Sequence, residues 1–238
     1  MAFKCWVCLV LLTLVGACQT PFDSRRSVVE SVRWHDDFQA GLAVLDDSVE
    51  RESAWLSSNA DVTPPTEELR RLVRRDELVA EAWGVLLPPV PNHARSWCER
   101  QLVRRLHAVR VENADRLRAM LVHVGWFTRS EFGAQADRDA WTIVQHADHL
   151  PAWQAEMLTV LEGLAEVGES DPALVAYLHD RVAVSAGRPQ RYGTQGGCVY
   201  GRWEPEPIED RDAVDARRAA VGLPPLAEQL AEATRACN

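Results

Sequence analysis

Apolar side chains recur every three or four residues along most of this chain, with polar side chains between them. This spacing places the apolar positions on one face of an α-helix, so the pattern predicts a mainly helical protein. Proline and glycine interrupt the pattern and set the helix boundaries. The predicted helices span residues 28–57, 66–83, 96–124, 133–150, 151–167, 172–184 and 211–221.

Several helix boundaries carry specific signals. Gly125 ends the third predicted helix. Asp171 followed by Pro172 is the pattern of an N-cap residue and a first helical position. Gly222 is placed to cap the last predicted helix before two prolines. These signals predict where individual helices start and stop.

Residues 186–209 depart from the helical pattern. Five glycines and three prolines alternate there with aromatic and β-branched residues, which favours a loop or a small hairpin. The predicted fold class is therefore mainly α, a multi-helix domain with a glycine-rich loop or small hairpin near residues 186–209. We divide it into an N-terminal helical extension, 28–65, and a helical domain, 66–238.

The N-terminus has the layout of a secretory signal. Lys4 is followed by an apolar run over residues 5–14 and then by small residues. The run is too short to span a bilayer as a permanent helix. The pattern predicts export from the cytoplasm.

The residues after this run, Val-Gly-Ala-Cys, end at Cys18 and resemble the lipobox of bacterial lipoproteins. The lipobox cysteine receives a diacylglycerol and becomes the first mature residue. The resemblance implies a signal peptide over residues 1–17, lipidation of Cys18 and a short tether over residues 18–27. Its partner would be the lipid bilayer, and Gln19 is compatible with the outer membrane of a Gram-negative cell; otherwise the anchor would lie in the outer face of the cell membrane.

The charge balance limits the classes of partner. Lys4 is the only lysine, so residues 18–238 carry 25 arginines against 35 acidic residues, a balance of about −10. Such a chain repels phosphates, and no nucleic-acid partner is expected. Arginine pairs such as Arg217-Arg218 are interspersed with acids or leucines, so we expect them on solvated helix faces.

Three cysteines remain after the predicted signal peptide and lipidation site: Cys98, Cys198 and Cys237. In an oxidising compartment they can form at most one internal disulfide. Cys237 lies one residue from the end, where chains fray. We therefore predict a Cys98–Cys198 bridge, with a Cys198–Cys237 bridge as the alternative.

The segment Gln145-His146-Ala147-Asp148 lies in a predicted helix that is covered on most sides. Its polar side chains are then partly buried and must find hydrogen-bond partners, at a cost of about 1–3 kcal/mol for each that fails. His146 and Asp148 are two positions apart and cannot pair along a helix. A carboxylate that orients His146 must come from another segment.

Arg181 falls on the apolar stripe of the predicted helix 172–184. Its guanidinium needs an acidic partner, for which Asp148 is the candidate and an anionic ligand the alternative. A glycine-punctuated loop follows at 190–197. Its side-chain donors and exposed amides can line a pocket or cradle an anion.

These motifs resemble those of an uncharacterised bacterial family marked by Gln-His-Ala-Asp and Tyr-Gly-Thr-Gln sequences, over roughly residue 67 to the C-terminus. The family often has Asp where this chain has Leu150, so the resemblance implies that the helix after Leu150 lacks a side-chain cap. The family has no established activity. The matching positions are Asn113, Leu117, Gly125-Trp126, Gly133, 145–148, Gln154, Asp180-Arg181, Gln190, 192–195, 207–210 and 215–226.

The first functional hypothesis is a polar pocket for a small molecule, with hydrolysis of an envelope-derived amide or glycan as its catalytic form. His146 would act as general acid or base and Asp180 would orient it. Arg181, Thr194 and Gln195 would clamp the substrate or its oxyanion. The predicted ligand-binding residues are Gln145, Asp148, Gln154, Arg181, Gln190, Tyr192, Thr194 and Gln195.

The rival hypothesis is a non-enzymatic structural or partner-binding lipoprotein in which the same residues form a buried hydrogen-bond network. A His146 ring on a concave, solvent-connected wall would favour the pocket, and a sealed polar core would favour the network. A metal held by His146 and His149, with His179 or Asp180, is a weaker alternative because the spacing matches no zinc motif. We predict neither metal nor cofactor.

Overall fold

The computed structural model describes residues 24–59 and 62–237, with side chains from residue 33 onward. The predicted signal peptide and Cys18 lie outside the described residues. The helices are α1 (Ser24–Ser58), α2 (Pro65–Leu86), α3 (Asn92–Val124), α4 (Arg129–Phe132), α5 (Ala134–Gln145), α6 (Pro151–Glu166), α7 (Pro172–Ser185), α8 (Val214–Ala220) and α9 (Leu226–Arg235). A two-stranded antiparallel sheet joins β1 (Gly196–Val199) to β2 (Arg202–Pro205), and a 3₁₀ turn at Arg211–Ala213 leads into α8.

This architecture confirms the predicted mainly α fold and the small hairpin in the glycine-rich segment. The boundary signals also hold. The Asp171 side chain accepts a hydrogen bond from the Ala173 amide at 2.9 Å at the start of α7. Gly125 ends α3 with a φ of 73°, a conformation that glycine adopts without steric cost. Leu150 precedes α6 without a side-chain cap, as the resemblance implied.

One predicted helix is too long. It was expected to continue to residue 150, but α5 ends at Gln145 and His146 occupies its C-cap position. Residues 146–150 form a tight turn in which the Leu150 amide donates to the Ala147 carbonyl at 2.8 Å. The backbone turns before Pro151 because a proline disfavours helical conformation in the residue that precedes it. The His-Ala-Asp part of the motif therefore lies in the turn between α5 and α6.

Two clusters of apolar side chains form the core. The larger one is shared by α2, α3, α5, α6 and α7, with Leu69, Leu117, Val144, Leu161 and Leu178 fully or almost fully buried. The second packs α1 against α2 and α3. The amphipathic faces read from the sequence are the faces that meet in these clusters.

The second cluster brings α1 onto the same helices that build the first. Phe38, Leu42, Val79 and Leu102 are among its buried members. At the other end of α1, Leu56 belongs to the larger cluster. α1 thus packs along the α2–α3 pair.

A disulfide joins Cys198 on β1 to Cys237 just after α9. The predicted Cys98–Cys198 bridge is wrong: Cys98 is a free thiol, completely buried in the second core cluster. The C-terminal segment that carries Cys237 is held in place, because α9 packs against β2, where the Trp203 amide donates to the Thr234 hydroxyl at 3.2 Å. The alternative Cys198–Cys237 pairing is the one that forms.

Within residues 24–59 and 62–237, none of the helices combines the length and the apolar character that a bilayer span requires.

Candidate functional site

The segment Gln190–Gln195, called the motif loop below, is organised around the carboxylate of Asp180. Asp180 lies on α7 and is fully buried. It accepts hydrogen bonds from the amides of Arg191 at 2.7 Å, Tyr192 at 3.0 Å and Thr194 at 2.9 Å, and from the Thr194 hydroxyl at 2.9 Å. The loop wraps its backbone donors around this one side chain.

The pKa of Asp180 reflects this arrangement. Burial alone raises the pKa of the carboxyl, but contact with His179 and the loop amides outweigh burial and hold the pKa below its ordinary range. Nδ1 of His179 lies 3.7 Å from Asp180 Oδ1, too far for a hydrogen bond but close enough for electrostatic attraction when the imidazole is protonated. Asp180 is therefore a buried, ionised anchor for the loop.

Gln190 closes the loop from its other end. Its side chain, also fully buried, donates to the carbonyls of Gln195 and Glu206, both at 2.8 Å, and accepts from the Gln195 amide at 2.8 Å. These bonds join the start of the loop to its end and to the segment that follows β2. All the hydrogen-bonding atoms of the Gln190 side chain are thus bonded to the protein backbone.

Gly193 shows why the motif contains a glycine. Its φ is 73°, in the region that side chains disfavour. A Cβ at this position would meet Leu226 at 2.8 Å and Ile208 at 2.9 Å. The residue therefore satisfies both a backbone conformation and a close approach of the chain to α9.

Two adjacent arginines of α8 hold the carbonyl side of the motif loop. Arg217 donates to the Arg191 carbonyl at 2.9 Å, and Arg218 donates to the Tyr192 carbonyl at 2.6 Å. The predicted position of this pair on a solvated face is wrong for Arg218, which is fully buried. Its side chain also reaches the Pro224 carbonyl and the Gln229 side chain, each at 2.6 Å. α8 is thereby fixed to both the loop and α9.

Arg181 and Asp148 form the ion pair that the sequence predicted. Arg181 Nε lies 2.7 Å from one carboxylate oxygen of Asp148 and Nη2 lies 2.5 Å from the other. Its remaining nitrogen donates to Gln195 at 3.3 Å. Since all three of its nitrogens have partners in the protein, the alternative of an anionic ligand is not needed to explain Arg181.

Gln154 and Gln145 differ in how fully they are bonded. Gln154, on α6, is buried and donates to the Val144 carbonyl at 3.0 Å and to Asp148 at 3.4 Å. It thereby caps the end of α5. Gln145 is buried too, but its side-chain oxygen has no hydrogen-bond partner among the described residues.

His146 lies apart from this network. Its Nδ1 is 2.9 Å from Asp76 on α2, and Asp76 also accepts from Arg110 of α3 at 2.7 Å. The predicted His146–Asp180 pair is wrong because Asp180 is enclosed by the motif loop, whereas His146 faces α2. Its carboxylate partner does come from another segment, as the helical geometry required.

The surroundings of His146 leave little space. The cavity that the ring lines, together with Asp76 and Arg110, has a volume of about 10 Å³. This is about the space of a single water molecule. Burial raises the pKa of Asp76, but His146 and Arg110 outweigh burial and lower it overall.

Sequence reasoning missed the polar side chains between α2 and α3. Glu68 pairs with Arg116, Arg75 with Glu112, and Arg75 Nη1 donates to Asn113 at 3.2 Å. Glu68, Arg75 and Asp76 interrupt the apolar positions on α2 and are buried. This interruption of the apolar pattern was the signal from which the polar contacts between α2 and α3 could have been predicted.

Asp137 on α5 was missed as well. It is buried and accepts from the Trp126 indole at 2.9 Å, the Ser170 hydroxyl at 2.8 Å and the Asp171 amide at 3.1 Å. It joins the turn after α3 to the start of α7. Its position in the first turn of α5 gave no indication of these distant partners.

Among the described side chains, no group of three or more His, Cys, Asp and Glu residues is arranged to hold a metal ion. His149, the second histidine of the metal alternative, instead contacts the ring of His107, with 5.7 Å between centroids.

The predicted site residues thus divide into two groups. Asp148, Arg181, Gln195, Thr194 and Asp180 form a continuous series of hydrogen bonds, to which Gln190 and Gln154 are attached. His146 belongs to the α2–α3 side of the molecule. Tyr192 is bound through its backbone amide and carbonyl, and its side chain takes no part in this series of hydrogen bonds.

Fold and site together define a helical domain organised around a buried, backbone-directed polar network. The chain belongs to DUF6624, a family of unknown function, whose model matches residues 94–236. This confirms the expected membership of an uncharacterised family. No curated protein and no solved structure matches the chain.

Proposed function

We propose that this protein is a membrane-anchored envelope lipoprotein whose helical domain acts without catalysis, as a structural or partner-binding module. In this proposal the motif residues hold α5, α7, α8 and the motif loop in one arrangement. Lipid on Cys18 would keep the domain at a membrane surface.

The observation that carries the proposal is that the hydrogen-bond acceptor sites of the Asp180 carboxylate are already used. An ionised carboxylate has about four lone-pair sites. Three backbone amides and one hydroxyl already donate to Asp180. Such a group has no remaining capacity to orient a catalytic histidine or to bind a substrate.

Anchoring is supported by the N-terminal sequence and by cysteine chemistry. The small residues before Cys18 have the lipobox pattern. The Cys198–Cys237 disulfide fits an exported protein, because disulfides persist in oxidising compartments.

Changing Cys18 to Ser in the full-length chain tests the anchor, in a bacterium that processes lipoproteins. The variant lacks the cysteine that would carry the lipid. It is expected to leave the membrane fraction, because stable anchoring requires two or more acyl chains. Cell fractionation with mass analysis of the N-terminal peptide is the measurement. A Cys18→Ser protein that stays entirely in the membrane fraction would contradict the anchor.

The network is tested by unfolding Asp180→Asn, Gln195→Ala and their double variant. Each single change should lower stability by about 1–3 kcal/mol, because it leaves buried partners unsatisfied. The double variant should be non-additive, since Thr194 connects the two side chains. Glu156→Gln, at an exposed position of α6, is the control. Unchanged or raised stability in both single variants would instead indicate a ligand site.

Hydrolysis is a second candidate on one observation, the 2.9 Å contact between His146 and Asp76. A carboxylate on Nδ1 orients an imidazole for proton transfer at Nε2. Turnover of amide or glycoside chromogens by the parent, lost in His146→Gln and kept in His149→Gln, would support it. A parent without turnover would exclude these substrates and favour the non-catalytic proposal.

A further inference from the structure

An open cleft of about 370 Å³ lies between α6, α7, the motif loop and the end of α8. Its apolar surface comes from Ala165, Val175, Ala176 and Val221. The volume is within the range of small-molecule sites in proteins. Of the predicted ligand-binding residues, only Tyr192 contributes to it.

Two polar rings form one side of this cleft. His179 and Tyr192 contact edge to face, with 5.8 Å between ring centroids. Both positions are fixed by the network, because His179 precedes Asp180 on α7 and Tyr192 is held through its backbone. The anchor residues themselves stay outside the cleft, while their neighbours line it.

The Tyr192 phenol is neutral at physiological pH. Burial raises the pKa of Tyr192; the positive charge of Arg191 opposes the rise, and the negative charges of Asp180 and Glu162 add to it. A neutral phenol can both donate and accept a hydrogen bond. Tyr192 can therefore contact a polar group without imposing a charge.

The charge at the cleft is negative. Glu162 and Glu166 lie one turn apart on α6, are exposed, and line the cleft. Neither has an ion-pair partner among the side chains of residues 33–59 and 62–237. The nearby Arg191 approaches Glu209 at 3.8 Å, and its guanidinium lies 5.9 Å from the centroid of the Tyr192 ring, but Arg191 is not part of the lining.

We propose that this cleft binds a small organic cation, an ammonium or guanidinium group on an apolar body. The apolar surface would cover the body, while Glu162 and Glu166 would attract the cationic group. Tyr192 would present its ring and hydroxyl to the same ligand. An anion would meet these two carboxylates, and the lining contains no arginine or lysine.

Phenethylamine is a suitable probe because it joins an ammonium to an apolar ring. Phenylacetate supplies an anionic match and 2-phenylethanol a neutral one. The measurement is a ligand-observed NMR titration of the full-length protein at low salt. We expect saturable binding of phenethylamine, in the millimolar range for so small a ligand, weaker binding of the alcohol and none of the acid.

Substitutions in the lining test whether phenethylamine binds in this cleft. Glu162→Gln with Glu166→Gln should weaken phenethylamine binding about fivefold, since each exposed carboxylate adds a modest attraction. Glu156→Gln, on the same helix but outside this cleft, should leave it unchanged. Ala165→Phe, which fills the cleft, should abolish binding.

Several results would overturn the proposal. They include no saturable phenethylamine binding by the parent, equal binding of phenylacetate, and unchanged affinity in the double glutamine variant. The glutamate positions are exposed, so their substitution leaves the fold intact, and a melting curve for each variant verifies this. Loss of binding in Glu156→Gln would also count against the cleft.

Discussion

Asp180 and Arg218 hold Tyr192 from opposite sides of its backbone. Asp180 accepts from the Tyr192 amide at 3.0 Å, and Arg218 donates to the Tyr192 carbonyl at 2.6 Å. Both side chains are fully buried, and they come from α7 and α8. Two opposite charges thus stabilise one loop residue without contacting each other directly.

Replacing Arg218 with Met is expected to destabilise the protein by about 3 kcal/mol, because it leaves three part-buried acceptors without the donor that Arg218 supplies. Burial lowers the pKa of Arg218, but an arginine in a protein keeps its charge. Arg217→Met is the matched control. Arg217 is partly exposed, so its loss should cost less than about 1 kcal/mol. Equal effects from the two changes in denaturant unfolding would contradict the importance of burial.

Stability should fall in acid through Asp180. The folded state lowers its pKa, so the unfolded state binds more protons as pH falls. Its contribution is complete above the unfolded value, about 3.9, and is lost as pH falls below that value through the folded pKa. The free energy of unfolding, measured between pH 7 and 2, should therefore depend less on pH in Asp180→Asn than in the parent.

Asp139 provides a control for the acid experiment, because its pKa is shifted in the opposite direction to the pKa of Asp180. Burial raises its pKa, against the opposing hydrogen bond from Gln135. Ionised Asp139 therefore opposes folding at neutral pH. Asp139→Asn should make the decline in acid steeper than in the parent. A flatter decline in Asp139→Asn would contradict the assignment.

The disulfide should matter mainly for the hairpin and α9. It closes a sequence separation of 39 residues, for which loop-entropy arguments give about 4 kcal/mol. Cys198→Ser should expose this region to proteolysis before the helical core unfolds. Peptide mapping without reduction should show Cys198 joined to Cys237 and Cys98 unmodified. A bridge that includes Cys98 would refute this pairing.

Asp148 and Arg181 should be weakly coupled. About half of the Asp148 side chain is exposed (56%), so water and salt screen the pair. A double-mutant cycle with Asp148→Asn and Arg181→Met should give a coupling of about 1 kcal/mol or less, which decreases with added salt. A larger, salt-independent value would indicate a buried pair.

Periodicity predicted most of the helices because their apolar faces are the faces that pack. It overextended α5 because nothing between Gln145 and Pro151 marks a stop except the proline itself. α9 was not predicted, although Leu226 and Leu230 lie four positions apart, as on one face of a helix. The two-proline segment before it obscured its start.

The site was harder to predict than the fold. Helical spacing indicated that Arg181 needed an acid, and Asp148 proved to be that acid. Spacing could not reveal that Asp180 bonds to a loop 11–14 residues away, because those donors are backbone amides that every sequence possesses. The buried role of Arg218 was hidden for a related reason, since its partners are mostly carbonyls.

The attachment of Tyr192 through its main chain has a consequence for variation at this position. Neither Asp180 nor Arg218 touches the phenol, so the scaffold holds position 192 without regard to the side chain mounted there. A histidine, leucine or tryptophan could occupy the same place while the loop kept its bonds. An exchange at position 192 therefore changes the wall of the neighbouring cleft and the ring contact with His179, while the backbone bonds of the loop remain.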